Sequence, residues 1–183
     1  MLGGSESSVT LLLAVFTLGI GLGSLLCERM SGKRVEIGLV PFGSIGLTLF
    51  GIDIYFASPA GPFAPEVLGV AALLSIPAVW HILFDLLMLG VFGGFFIVPL
   101  YALVQIRSSA AHRARIIAAN NILNALFMVC GALGAASLLD AGLSIPALFG
   151  LGAVANALVA IWVGRQAPEF LTRFVAWLKI GRF

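Results

Sequence analysis

"PEVLGVAALLSIPAVWHILFDLLMLGVFGGFFIVPLYALVQ", Pro65 to Gln105, is an apolar run of about 40 residues, and the number of times it crosses a membrane decides the fold. A helix rising 1.5 Å per residue needs roughly 20 residues to cross about 30 Å of hydrocarbon. The run is therefore too long for one bare span and long enough for two. Charge elsewhere in the chain decides between them. All ten Lys and Arg fall in three clusters: Arg29, Lys33 and Arg34; Arg107, Arg113 and Arg115; and Arg165, Arg173, Lys179 and Arg182. The connecting segments 1–7, 57–66 and 140–143 contain none. If the run crosses once, every cationic residue lies on one face of the membrane, which the positive-inside rule makes the cytoplasm. Two crossings would divide the clusters between faces. The reading is one span from Trp80 to Val104, preceded by a surface or re-entrant piece at Glu66–Ser75 and a break at Pro77.

Working outward, four more stretches meet the length requirement: Ser8–Leu26, Ile37–Phe56, Ile116–Leu139 and Ser144–Val163. The expected fold class is an all-α membrane protein with five transmembrane helices, its N-terminus outside and its C-terminus inside. Composition agrees, because 61% hydrophobic and 10% charged residues leave too little polar surface for a water-soluble globule. The 22 Gly and eight Pro suit helices that pack closely or kink in lipid. "GIGLG", Gly19–Gly23, is read as a packing face, since a dinucleotide loop needs a strand, a turn and a helix in water. The basic clusters set topology and touch anionic lipid; no nucleic-acid partner is expected. Cys27 and Cys130 receive no role. No cofactor and no metal ligand are assigned.

Several residues stand out against this apolar background. "HILFD" puts His81 and Asp85 at i, i+4 on one helix face inside a span, either as a proton relay or headgroup contact, or as an ordinary interfacial ion pair. Asp53, near the outer end of its span, is read as solvated or, alternatively, as lining the pathway. Gln105, Asn120, Asn121 and Asn124 are neutral polar groups near the basic ends of their helices. They are candidates for the substrate pathway or, alternatively, bridges between helices. Gly90, Gly93 and Gly94 serve either close packing or motion, and Pro99 frees a carbonyl and favours a kink.

"GSLLCERMSGKRVEIG", Gly23–Gly38, resembles the inter-helix loop motif of the major facilitator superfamily, with Ser24 at the first Gly, Glu28 in place of Asp, and one residue inserted before Gly32. The resemblance implies that Glu28, Arg29, Lys33 and Arg34 form a gating loop; the alternative is a loop whose charges only set topology. "GVFGGFFIVPLYALVQIRS", Gly90–Ser108, and "RARIIAANNILNALFMV", Arg113–Val129, resemble helices ten and eleven of the bacterial lysophospholipid transporter branch of that superfamily, including its fusions to a glycerophospholipid acyltransferase.

The resemblance implies helices eight to twelve of a twelve-helix fold, in residues 1–166. It also implies movement of lysophospholipid from the outer to the inner leaflet of the bacterial inner membrane for reacylation. The implied partners are membrane lipid, an N-terminal transmembrane half that precedes Met1, and an acyltransferase domain beyond Phe183. Enzymatic activity is not expected of the chain itself, and a His-x-x-x-Asp spacing inside a span is not read as catalytic. Two other functions stay open: a carrier of another small substrate, and a membrane scaffold for a fused acyltransferase. Residues 167–183, "APEFLTRFVAWLKIGRF", are expected to form an amphipathic interfacial helix or linker. Its Phe170, Leu171, Phe174, Trp177 and Leu178 share one face of a helix lying in the cytoplasmic interface, with Trp177 at headgroup depth and Arg173, Lys179 and Arg182 near anionic lipid.

Overall fold

The computed structural model describes residues 5–32, 34–58 and 68–180, all of it helix and short connections apart from one isolated bridge at Leu68. Lys33, Arg182, the surface-piece residues Glu66 and Val67, and Met1 lie outside the described residues. The elements are α1 (Glu6–Met30), α2 (Leu39–Ala57), α3 (Val70–Leu74), α4 (Pro77–Arg107), α5 (Arg113–Asp140), α6 (Ile145–Gln166) and α7 (Glu169–Ile180). Five of them, α1, α2, α4, α5 and α6, are long and apolar enough to cross a membrane.

The decisive run does form one long helix. Pro77 occupies the first turn of α4, where its missing N–H costs nothing and its fixed φ favours initiation. α4 starts three residues before the expected Trp80 and runs three past Val104, because helix hydrogen bonding continues beyond the apolar segment that hydropathy detects. Its 31 residues would rise about 46 Å, so its ends reach past the hydrocarbon. Among the described residues of the piece before it, Val70–Leu74 is helical, and Leu73 packs with Val79, Ile82 and Leu83 beneath the start of α1. The backbone N–H of Ser5, just before that helix, and the Ser8 hydroxyl within it donate hydrogen bonds to the Leu68 carbonyl at 3.0 and 3.3 Å.

Contacts between helices fix their directions. Gly19 of α1 meets Gly90 of α4, and Gly23 meets Gly94, so α1 and α4 run parallel. Gly43 lies on Phe96 and Phe50 on Phe84, so α2 runs antiparallel to α4. Gly51 lies on Ala153 and Gly150 on Tyr55, so α6 runs antiparallel to α2. Asn124 of α5 reaches Tyr101 of α4. These directions collect Arg29, Arg34, Arg107, Arg113 and Arg165 at one end of the bundle, hereafter the basic end.

α4 is the centre, with α1 on one side and α2 on the other. The α1–α4 contact works because glycines oppose glycines. A methyl group built on Gly94 would sit 2.7 Å from the Gly23 carbonyl carbon, well inside van der Waals contact. Packing therefore accounts for Gly19, Gly23, Gly90 and Gly94, whereas Gly21 and Gly93 face open space. Pro99 is buried within α4, which stays helical through it.

Candidate functional site

Three polar features interrupt this apolar bundle. The first is a trough of about 640 Å³ between α2 and α6, a volume usual for small-ligand sites. Phe96 and Leu100 of α4 form part of its wall, and Phe170, Leu171 and Phe174 of α7 line it at the basic end. Its lining is almost entirely apolar. The polar exceptions are Ser44, Thr48 and Asn156 at one end and Arg165 at the other. The Asn156 amide nitrogen donates towards the Ser44 carbonyl at 2.9 Å, the Ser44 hydroxyl at 3.1 Å and the Thr48 hydroxyl at 2.8 Å. Two amide hydrogens facing three acceptors pin α6 to α2, so the Asn156 N–H groups are satisfied without a ligand. Arg165 is exposed and makes no ion pair among the described residues. Helix rise puts it roughly 14 Å from Asn156.

The second feature lies towards the opposite end. His81 and Asp85 share a face of α4, and Asp53 of α2 joins them. His81 Nε2 is 3.1 Å from Asp53 Oδ2 and 3.6 Å from Asp85 Oδ2. Side-chain exposure is 52% for His81 and 47% for Asp53, yet 0% for Asp85. Among the described residues, neither Asp85 carboxylate oxygen has a hydrogen-bond partner. The expectation for Asp53 thus changes: it is half-buried and engaged with His81, because antiparallel packing of α2 on α4 brings it across to the imidazole.

At the basic end, α7 turns back under the bundle. Arg107 donates two hydrogen bonds to Glu169, at 2.9 and 2.7 Å. Arg173 donates to Glu36 at 3.0 Å, and the Trp177 indole N–H donates to the Met30 carbonyl at 3.2 Å. The Arg107 guanidinium holds the Glu169 carboxyl below its ordinary range, chiefly through these hydrogen bonds. Of the segment 167–183 expected to be an amphipathic helix, Glu169–Ile180 is helical and residues 181–183 lie outside the described residues. Trp177 packs against Phe42 and the Cys27, Leu39, Val91 and Phe95 cluster, and Arg173 pairs with Glu36. Leu171, Val175 and Leu178 remain half-exposed.

The remaining candidates divide. Asn124 Nδ2 donates to the Tyr101 hydroxyl at 2.8 Å, so it bridges α5 to α4. Asn121 and Gln105 are exposed, Asn120 is partly so, and the three make no side-chain hydrogen bond among the described residues. They do not converge with His81 and Asp85, which stand near the other end of α4. In the loop after α1, Gly32 takes φ +60°, the left-handed conformation that ends many helices. Glu28, Arg29 and Arg34 are exposed and make no ion pair among the described residues. The carboxylates that do pair at this end are Glu36, which sequence reading passed over, and Glu169, which suits the N-terminal end of α7 in sequence but whose Arg107 partner only the structure reveals. Asn156 was also passed over, although a lone Asn inside "GAVANALVA" is itself a signal, because lipid leaves a polar group no partner except protein. No family model, curated protein or solved structure matches the chain.

Proposed function

We propose that this chain is part of a secondary membrane transporter that moves lysophospholipid from the outer to the inner leaflet of a bacterial inner membrane, its basic end in the cytoplasm. The observation that carries the reading is the trough between α2 and α6. A lysophospholipid is one acyl chain joined to an anionic phosphate, and the trough is an apolar channel with a lone guanidinium at one end. Arg165 would take the phosphate by charge-assisted hydrogen bonds, and the walls from Ile45 to Leu49 and from Ala157 to Ile161 would take the chain. A sugar or other polar solute would find almost no donors there.

On this reading α1, α2, α4, α5 and α6 correspond to helices eight to twelve of a major facilitator fold. A preceding half supplies the opposite wall of the pathway, and alternating access comes from rocking one half against the other. The chain acts as a carrier and not as an enzyme; reacylation belongs to an acyltransferase fused or associated at the basic end. The test is flipping of a fluorescent lysophospholipid in vesicles carrying the full-length gene product. The wild type should flip it and an Ala160→Trp variant, which fills the trough, should lose at least tenfold in rate. Undiminished flipping by a correctly folded Ala160→Trp protein would defeat the reading.

A further inference from the structure

The Asp53, His81 and Asp85 cluster was read from sequence as a helix-face pair plus a solvated carboxylate. The structure makes it one constellation whose ligand atoms all lie within 4.8 Å of one another. Asp85 is the informative member. A fully buried carboxylate with two unpartnered oxygens is expensive in an apolar interior unless a cation or proton meets it. No Lys or Arg lies in the sequence between Arg34 and Arg107, so the one side chain of α2 and α4 near Asp85 that can carry positive charge is His81, 3.6 Å away and charged only when protonated.

We propose that Asp53, His81 and Asp85 bind a divalent first-row transition cation. Two carboxylates and one imidazole form a mixed oxygen and nitrogen set, which suits manganese through zinc better than sodium, magnesium or calcium, whose sites are built of oxygen. The spacing fits as well. Ligands held at about 2.1 Å from a metal stand roughly 3.0 Å apart along an octahedral edge and 3.4 Å along a tetrahedral one. The observed 3.1 and 3.6 Å separations need only small side-chain adjustments. His81 Nε2, the atom facing both carboxylates, would give up its hydrogen and donate its lone pair. Asp85 binds from inside the bundle, and half-exposed His81 and Asp53 leave the remaining positions open to water. The cation would tie α2 to α4 at the end away from the trough.

Metal binding is measured without any transport, so its failure and that of the lipid reading are separable. Purified chain in detergent, stripped with chelator, is titrated with Co²⁺, whose visible spectrum reports nitrogen and oxygen coordination. The expected result is one saturable Co²⁺ per chain, displaced by Zn²⁺. Affinity should fall at least 30-fold in Asp85→Asn, which keeps shape and removes the charge, and at least tenfold in Asp53→Asn. The spectrum should be lost in His81→Ala and unchanged in His112→Ala at the basic end. Absence of saturable binding, or equal affinity in wild type and Asp85→Asn, would overturn the proposal in favour of a protonated Asp85. Loss of binding only in His112→Ala would overturn it as an adventitious surface site.

Discussion

α4 and α5 are both long, apolar helices able to span a membrane, yet they sit very differently. α4 is sandwiched between α1 and α2 and buries residues from Val79 to Pro99, whereas α5 buries none. Its one side-chain hydrogen bond to another helix is Asn124 to Tyr101. Overall apolarity cannot produce this difference, because lipid tails solvate a Leu as well as another helix does, so association relies on close packing and polar contacts. What separates the two helices is complementarity. The small residues of α4 meet small residues of α1 in parallel register, 19 to 90 and 23 to 94. The small residues of α5 at Gly131 and Gly134 meet nothing within 4 Å. α5 therefore leaves Gly131 and Gly134 uncovered among the described residues, while Asn124 alone ties it to α4 by a side-chain hydrogen bond.

The largest expected effect tests that complementarity. Gly23→Leu would drive a side chain into the Val91 backbone. It should destabilise the detergent-solubilised chain by at least about 3 kcal/mol, the upper range for overpacking, read as a lowered thermal midpoint. Gly131→Leu on α5 should change it by less than about 0.5 kcal/mol, as for an exposed site. Equal effects would erase the distinction between the helices.

Polar bridges give a smaller contrast. Asn156→Ala removes contacts to three acceptors on α2 and should cost about 1 to 2 kcal/mol. Asn124→Ala removes one contact to Tyr101 and should cost roughly 0.6 kcal/mol, the average for hydrogen bonds between membrane helices. The smallest effect is local, at α7. Glu169 is more acidic in the folded chain than its ordinary value of 4.5, so the Arg107–Glu169 pair stabilises docking above that value. The contribution is lost as pH falls from 4.5 through the lowered value. Protease access to α7 should rise over that acid window in wild type. In Glu169→Gln it should be raised already at neutral pH and should stay flat.

Much of this architecture was legible in the sequence because it rests on one-dimensional signals. Span length marked five helices long and apolar enough to cross a membrane, the placement of Lys and Arg treated the Pro65–Gln105 run as holding one of them, and Pro77 marked its start. The sites were less legible because they depend on how each helix is rotated against its neighbours. Asp53 and His81 are 28 positions apart, and only antiparallel packing of α2 on α4 brings them together. Glu36 and Arg173 are 137 positions apart. The apolar face of α7 was read correctly as a face, but a hydrophobic stripe does not say whether lipid or Phe42 covers it. The Asn residues of α5 drew notice as polar groups in a span, while Asn156, which pins two helices, sat alone and was passed over.

The account stands or falls on what occupies the trough. The direct measurement is photo-crosslinking with a lysophospholipid carrying a diazirine in its acyl chain, followed by peptide mapping of the labelled protein. The predicted result is label concentrated on α2 and α6 between Ile45 and Leu49 and between Ala157 and Ile161. It should be competed by unlabelled lysophospholipid far better than by a two-chain phospholipid, and weakened by Arg165→Gln. Label spread evenly over the exposed faces, or concentrated on α5, would contradict it.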